Sequence, residues 1–115
     1  METATIDLQI KEKVTPIVVD KNVTILNLGH EKYFFKSPFP INIQVEDDTY
    51  IAASYDLNLF GYGESEDEAL RDLCDSIVEH YEHLKSNETK LGPLLKRDWN
   101  FLSRMIEAME MVPCN

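Results

Sequence analysis

The residues best suited to chemistry are two histidines and a glutamate near the end of a predicted helix. Glu79 and His83 have the i, i+4 spacing that places two metal ligands on one helical face, whereas His80 lies three residues before His83. A zinc site needs three or four ligands, and no further ligand lies close in sequence. The pattern therefore favours a solvated acidic helix surface over a metal centre, and no cofactor is predicted.

A second group of carboxylates could serve a metal-dependent hydrolase. It comprises Glu46, Asp47, Asp48, Glu64, Glu66 and Asp67. A two-metal site requires carboxylates that converge on one point. A hairpin turn and a helix start account for these acids separately, without any catalysis. We therefore predict that the chain is not an enzyme.

The run from Gly61 to Leu70 marks the passage from strands to the first strong helix. The glycines at 61 and 63 predict a backbone turn through angles that a Cβ would forbid. Ser65 is the predicted N-cap, and Glu68, three residues later, completes a capping box. Acidic side chains in the first turn favour the positive end of the helix dipole.

Hydrophobic periodicity predicts the elements that position these residues. Alternation or β-branched content predicts strands at 6–10, 14–19 and 23–28, with a turn at 20–22, then a short strand at 33–35 and a break at 37–38. A meander follows, with strands at 39–45, 50–55 and 57–62 and a polar turn at 46–48. Apolar spacings of three and four predict helices at 66–84 and at 93–111, and they place Cys74 in the core.

These elements predict an α+β fold for a single domain spanning 1–115. An antiparallel β-meander packs against a long helix, extra N-terminal strands over 1–38 extend the sheet or cover its edge, and a C-terminal helix lies within 91–112. The apolar residues of this last helix spread wider than one helical face needs: Trp99, Phe101, Leu102, Met105, Met109 and Met111. Met and Trp are enriched at interfaces, so a partner surface is one interpretation, and ordinary core is the favoured one.

The charge balance bears on function directly. The 115 residues carry 21 acidic and 11 basic side chains, for a net charge of −10. Nucleic-acid binding depends on lysine and arginine, so direct binding of DNA or RNA is not expected. No apolar run reaches membrane-spanning length, and the N-terminus lacks signal-peptide features, so a cytoplasmic location is predicted.

Residues 39–84 resemble the HicB-like antitoxin fold, a meander followed by a Gly-acid-Ser/Thr cap and a helix that opens with Glu-Ala. The resemblance rests on Gly63-Glu64-Ser65, Glu68-Ala69-Leu70, Tyr50-Ile51-Ala52 and Asp56-Leu57. Two departures stand out: Tyr55–Gly61 replaces the family's Pro-Asp-Leu-Pro-Gly type of turn, and no helix-turn-helix or ribbon-helix-helix segment follows.

The resemblance implies a non-enzymatic protein that self-associates as a homo-oligomer and masks a small basic ribonuclease toxin by protein–protein contact. We expect the acidic groups of the meander turn and the first helix to face that toxin. They are Glu46, Asp47, Asp48, Glu64, Asp67, Asp72, Asp75 and Glu79. An orphan HicB-like oligomer with a structural or regulatory role and no toxin is the alternative, and the metal-dependent hydrolase is a weaker one.

Overall fold

The computed structural model describes residues 20–109 and has the predicted α+β class. Two helices, one short 3-10 turn (Glu88–Lys90) and six strands follow one another along this part of the chain. The strands are β1 (Asp20–Ile25), β2 (Tyr33–Phe35), β3 (Phe39–Glu46), β4 (Thr49–Ser54), β5 (Leu59–Gly63) and β6 (Ile106–Ala108). The helices are α1 (Glu66–Ser86) and α2 (Pro93–Met105).

The main sheet is antiparallel, with the strand order β1-β3-β4-β5. The predicted meander is confirmed as β3, β4 and β5, although the third strand begins at Leu59 rather than at 57. Glu46 pairs with Thr49, so the predicted turn reduces to a two-residue loop at Asp47 and Asp48. Both aspartates have positive φ, 49° and 64°, as the two central residues of a type I′ hairpin require.

The first strand of the sheet corrects one prediction. Residues 20–22 were expected to form a turn, but they lie within β1 and pair with residues 42–44 of β3. The physical reason is the side-chain amide of Asn42, which donates to the Asp20 carboxylate (2.8 Å) and to the Asn22 side-chain oxygen (3.1 Å). Polar residues that resemble a turn in sequence are thus held in a strand. The predicted strands at 6–10 and 14–19 lie outside the described residues.

Helix α1 packs across one face of the main sheet, as predicted. Its buried side chains are Ala69, Leu73, Cys74, Ile77, Val78, Tyr81 and Leu84. They meet the face of β3 that carries Phe39, Ile41 and Ile43, and together they form the core. The Ser65 side chain accepts a hydrogen bond from the Glu68 backbone N–H (3.2 Å), which confirms Ser65 as the N-cap.

The two glycines of β5 have a different role from the one predicted. Neither has a positive φ, so neither makes the turn that was expected of them. A Cβ on Gly61 would lie 2.8 Å from the Leu73 Cα, and one on Gly63 would lie 2.7 Å from the Ala69 backbone nitrogen. Glycine is needed here because the strand and the helix backbones approach each other directly.

The C-terminal helix ends earlier than predicted. Helix α2 stops at Met105, and Ile106–Ala108 forms β6, which pairs antiparallel with β2 in a second sheet. Backbone hydrogen bonds from Lys36 N to Met105 O and from Met109 N to Lys32 O (both 2.7 Å) close the two ends of this pairing. The short strand predicted at 33–35 is confirmed as β2. The helix ends at Met105 because the residues that follow it pair with β2. Ile106 continues the helical hydrophobic period, which is why the sequence pattern does not reveal the change.

The close approach of β5 and α1 yields a stability prediction. Gly61→Ala should lower the free energy of unfolding by about 2–3 kcal/mol, because a Cβ there meets helix backbone that cannot rotate away. Urea denaturation followed by circular dichroism measures the change.

Gly92→Ala provides the control, since no atom lies within 4 Å of a Cβ built on Gly92. As the residue before α2, it should cost about 1 kcal/mol or less through a poorer N-cap. Equal losses in the two variants would contradict the close-approach explanation.

Candidate functional site: an acidic face on helix α1

The solvent-facing side of α1 carries a continuous row of carboxylates. Its members, which we call the acidic stripe, are Glu68, Asp72, Asp75, Glu79 and Glu82, and all five are exposed. They recur at alternating spacings of four and three residues, which keeps them on one helical face. At 1.5 Å per residue the stripe extends for about 21 Å. Three of its members, Asp72, Asp75 and Glu79, are among the predicted partner-binding residues.

The remaining predicted partner-binding residues are all exposed, and four of them lie at one end of the main sheet: Glu46, Asp47, Asp48 and Glu64. The fifth, Asp67, lies in the first turn of α1 and lines a cleft with Ile25 and Leu28. Tyr50 pairs with Gly63, so the register of β4 and β5 brings the β3–β4 turn beside the residue that precedes Glu64. The predicted residues therefore form two neighbouring acidic surfaces, the stripe and this sheet end, which meet at the start of α1.

Two carboxylates of the stripe also have a structural role that the sequence did not reveal. The Tyr62 backbone N–H donates to the Asp72 carboxylate (2.9 Å), and the Glu64 backbone N–H donates to the Glu68 carboxylate (2.8 Å). Both donors belong to the outer edge of β5 or its continuation. An open edge invites pairing with another strand, and side chains that occupy its donors reduce that tendency. Glu68 was expected to reach the N-cap residue itself, and it instead reaches the residue before it.

The metal-ligand candidates lie on different sides of α1. The His80 ring lies 2.9 Å from an Asp98 carboxylate oxygen of α2, and both side chains are mostly buried. Glu79 and His83 are exposed on the solvent side of the helix. Among residues 20–109, no group of three or more His, Cys, Asp or Glu side chains could hold a metal ion. The contact of His80 with Asp98 therefore joins α1 to α2 as a polar pair within the interface of the two helices.

The carboxylates considered for a hydrolase have separate partners. Glu66 forms an ion pair with Lys21 of β1 (3.0 Å), which fastens the start of α1 to the edge of the sheet. Asp47 and Asp48 form the hairpin loop. In this part of the chain the structure thus gives these acids roles in a turn, an ion pair and a helix start.

Cys74 lies in the core, as predicted. Its side chain is a buried free thiol on the inner face of α1. Burial, with a smaller contribution from the negative charge of Asp75, raises the pKa of the thiol to about 11. A thiol that stays protonated near neutral pH is a poor nucleophile, so Cys74 is unsuited to covalent catalysis.

Aromatic side chains join the second sheet to α1 and α2. Tyr33 of β2 donates a hydrogen bond to the Glu82 carboxylate (2.8 Å), and this bond raises the pKa of the Tyr33 phenol. Its ring packs edge-on against Tyr81, which in turn contacts Trp99 of α2 at 5.5 Å between ring centroids. The prediction that Trp99 and Met105 belong to the core is confirmed, since both pack against it, whereas Met109 is exposed and Met111 lies outside the described residues.

The face of the main sheet opposite α1 carries exposed aromatic side chains. Tyr55, Phe60 and Tyr62 are 61%, 36% and 55% exposed, and the Tyr55 and Phe60 rings contact each other edge-on. The Tyr55 hydroxyl also lies within hydrogen-bond distance of Gln44 and Asn42 on β3. Strand alternation indicates that positions 60 and 62 share a face, but sequence alone does not reveal that neither helix of residues 20–109 covers it.

Comparison of the chain with protein-family models, with curated proteins and with solved structures finds no match. None of the helices within residues 20–109 has the length and hydropathy that a bilayer crossing requires.

Two substitutions of Asp72 can distinguish the effect of its hydrogen bond to Tyr62 on stability from the effect of its negative charge. Asp72→Ala should lower the free energy of unfolding by about 1 kcal/mol, because the Tyr62 N–H loses its acceptor. Asp72→Asn keeps an acceptor oxygen and should change stability by less than about 0.5 kcal/mol. Urea denaturation of both variants provides the measurement. Asp75→Ala, which removes a stripe carboxylate with no such bond within residues 20–109, is the matched control, and equal behaviour of all three variants would refute the contact.

The thiol of Cys74 should resist alkylation in the folded protein. At pH 8 a pKa of about 11 leaves roughly one thiol in a thousand ionised, against about a quarter for an unperturbed cysteine. Iodoacetamide labelling of a Cys114→Ser variant, followed by mass spectrometry, should therefore be at least about a hundredfold slower in buffer than in urea. The native rate should still be rising at pH 10, and a rate that levels off near pH 8.5 would contradict the raised pKa.

Proposed function

We propose that this chain is a non-enzymatic binding protein of the HicB-like kind, which masks a small basic ribonuclease toxin by protein–protein contact. The observation that carries the proposal is the acidic stripe on α1, together with the acidic sheet end that adjoins it. Both surfaces are formed by a regular element or by a tight turn, so a partner would meet carboxylates that are already positioned.

The stripe is electrostatically unfavourable in the isolated protein. Carboxylates three and four residues apart on a helix repel one another and destabilise it. Within residues 20–109, the one lysine or arginine ion pair joins Lys21 to Glu66, so no stripe carboxylate there has a direct basic partner; Arg71, four residues before Asp75, lies on the adjoining flank of α1. A partner that presents lysines or arginines along its surface would relieve this repulsion on binding.

Charge complementarity of this kind acts chiefly on association. An extended negative surface attracts a basic partner before contact and speeds the encounter, while affinity depends more on the buried centre of the interface. The toxin would then be masked by steric cover. The net charge of −10 acts in the same direction.

Self-association as a homo-oligomer is part of the proposal, because the HicB-like resemblance implies it. The outer edge of β5 is poorly suited to this, since Asp72 and Glu68 occupy the donors of Tyr62 and Glu64. The exposed aromatic face formed by Tyr55, Phe60 and Tyr62 is available for it. The orphan alternative, an oligomer without a toxin, requires only this second surface.

The reading frame adjacent to the one that encodes this chain supplies the test. If that frame encodes a short basic protein, the purified product should degrade RNA, and this chain should bind it and suppress that activity. Stopped-flow association should slow by at least about tenfold as salt rises from about 0.05 M to 0.5 M, since salt screens charge steering. An on-rate that does not depend on salt would exclude the proposed mechanism.

A charge-matched pair of double variants identifies the surface. Asp75→Asn with Glu79→Gln should slow association severalfold, because two adjacent stripe charges are removed. Glu31→Gln with Glu88→Gln removes the same charge from exposed positions outside the stripe and should have a much smaller effect. Equal effects would assign the steering to net charge alone, and the absence of any basic neighbour that binds would favour the orphan alternative.

A further inference from the structure

A polar groove lies on another part of the molecule, between the β4–β5 turn and α2. It has a volume of about 810 Å³, which is within the range of small-molecule sites. Tyr55 and Asp56 of the turn form one wall, and the facing side of α2 forms the other with Arg97, Asn100 and Arg104. None of these residues belongs to the acidic stripe.

The two arginines are the unusual feature of this groove. Arg97 and Arg104 are seven residues apart, so they share one face of α2 and lie about 10 Å apart along its axis. The chain has three arginines, and two of them line this groove. Within residues 20–109, neither guanidinium forms an ion pair or a side-chain hydrogen bond. In a protein with a net charge of −10, two guanidinium groups in one groove, neither of them paired with a side chain of residues 20–109, favour an anionic ligand.

The other side chains that line the groove indicate which kind of anionic ligand it could bind. The exposed Asp56 carboxylate would repel a simple polyanion, but it can accept hydrogen bonds from hydroxyl or amino groups of a ligand. Asp98, also in the groove, is engaged by His80. The Tyr55 ring is 61% exposed, and Phe101 is half-buried, so both can contact a planar ring. A suitable ligand therefore combines negative charge, hydrogen-bond donors and a flat ring.

We propose that this groove binds a nucleoside phosphate. Arg97 and Arg104 contact the phosphoryl oxygens, because the guanidinium fork matches their geometry. Asp56 accepts from a hydroxyl group of the sugar, and Tyr55 packs against the base. The site uses none of the carboxylates assigned to toxin masking, so its test does not depend on that masking; it shares only Tyr55 with the aromatic face considered for self-association.

The test is a titration of the full chain, labelled with ¹⁵N, with ADP in the absence of divalent metal. Saturable shifts should appear in the Arg97 and Arg104 side-chain N–H signals and in the Tyr55 and Asp56 backbone amides. Adenosine and inorganic pyrophosphate, titrated separately, should each bind at least about tenfold more weakly than ADP, because each lacks one half of the recognised groups. No saturable shift by 5 mM ADP would overturn the proposal, and pyrophosphate binding as tightly as ADP would overturn the nucleoside assignment.

Arginine variants with a matched control locate the site. Arg97→Gln and Arg104→Gln should each weaken ADP binding at least about tenfold, since each removes a charge-assisted contact. Lys96→Gln removes the same charge from an adjacent exposed position of α2 that does not line the groove, and it should change binding less than about twofold. Circular dichroism checks that all three variants are folded. If Lys96→Gln weakened ADP binding as much as the arginine variants, the loss would reflect the overall charge of the protein, and the proposed site would be wrong.

Discussion

The direct approach of β5 to α1 is the constraint on which much of this structure depends. Gly61 and Gly63 bring the strand backbone against Ala69 and Leu73, closer than any side chain would allow. This contact fixes the position of the helix over the edge of the sheet. With the helix so placed, the Asp72 and Glu68 carboxylates reach the outward-facing N–H groups of β5 and of the residue that follows it. One steric feature therefore determines the packing of the helix and brings two carboxylates to donors at the sheet edge.

The same contact determines how the helix displays its charge. The inner side of α1 must carry small or apolar residues, and the outer side is left to the acidic stripe. Glu68, Asp72 and Glu82 each accept a hydrogen bond from another segment, which holds their side chains in place at the surface. An ordered row of negative charge loses less side-chain entropy on binding than a mobile one. The structural contacts of these residues are therefore compatible with the proposed binding role.

Local patterns predicted those parts of the fold that depend on neighbouring residues in sequence. The meander, the Asp47-Asp48 hairpin, the Ser65 N-cap and the apolar stripe of α1 are all features of this kind. The errors arose where a distant segment decides the outcome. Asn42 holds residues 20–22 in a strand, and β2 draws Ile106 out of a helical pattern. The sequence marks Gly61 and Gly63 as special positions, but glycine is required there because the strand contacts α1, not because the backbone turns. The acidic partner-binding residues were predicted from residue type alone. That the β3–β4 turn lies beside Glu64 follows only from the register of β4 and β5.

The position of α2 reconciles the acidic composition with a groove that suits an anion. At about 100° per residue, His80 lies roughly 140° around α1 from Asp75, the middle of the stripe. Because His80 contacts Asp98, α2 packs on a flank of α1 that faces away from the stripe. Arg97 and Arg104 are therefore separated from the stripe by the helix itself, and at physiological salt a charge is largely screened beyond about 8 Å. Net charge argues against binding a long polyanion, which would span both surfaces, but it places no such limit on a small anion held between two arginines.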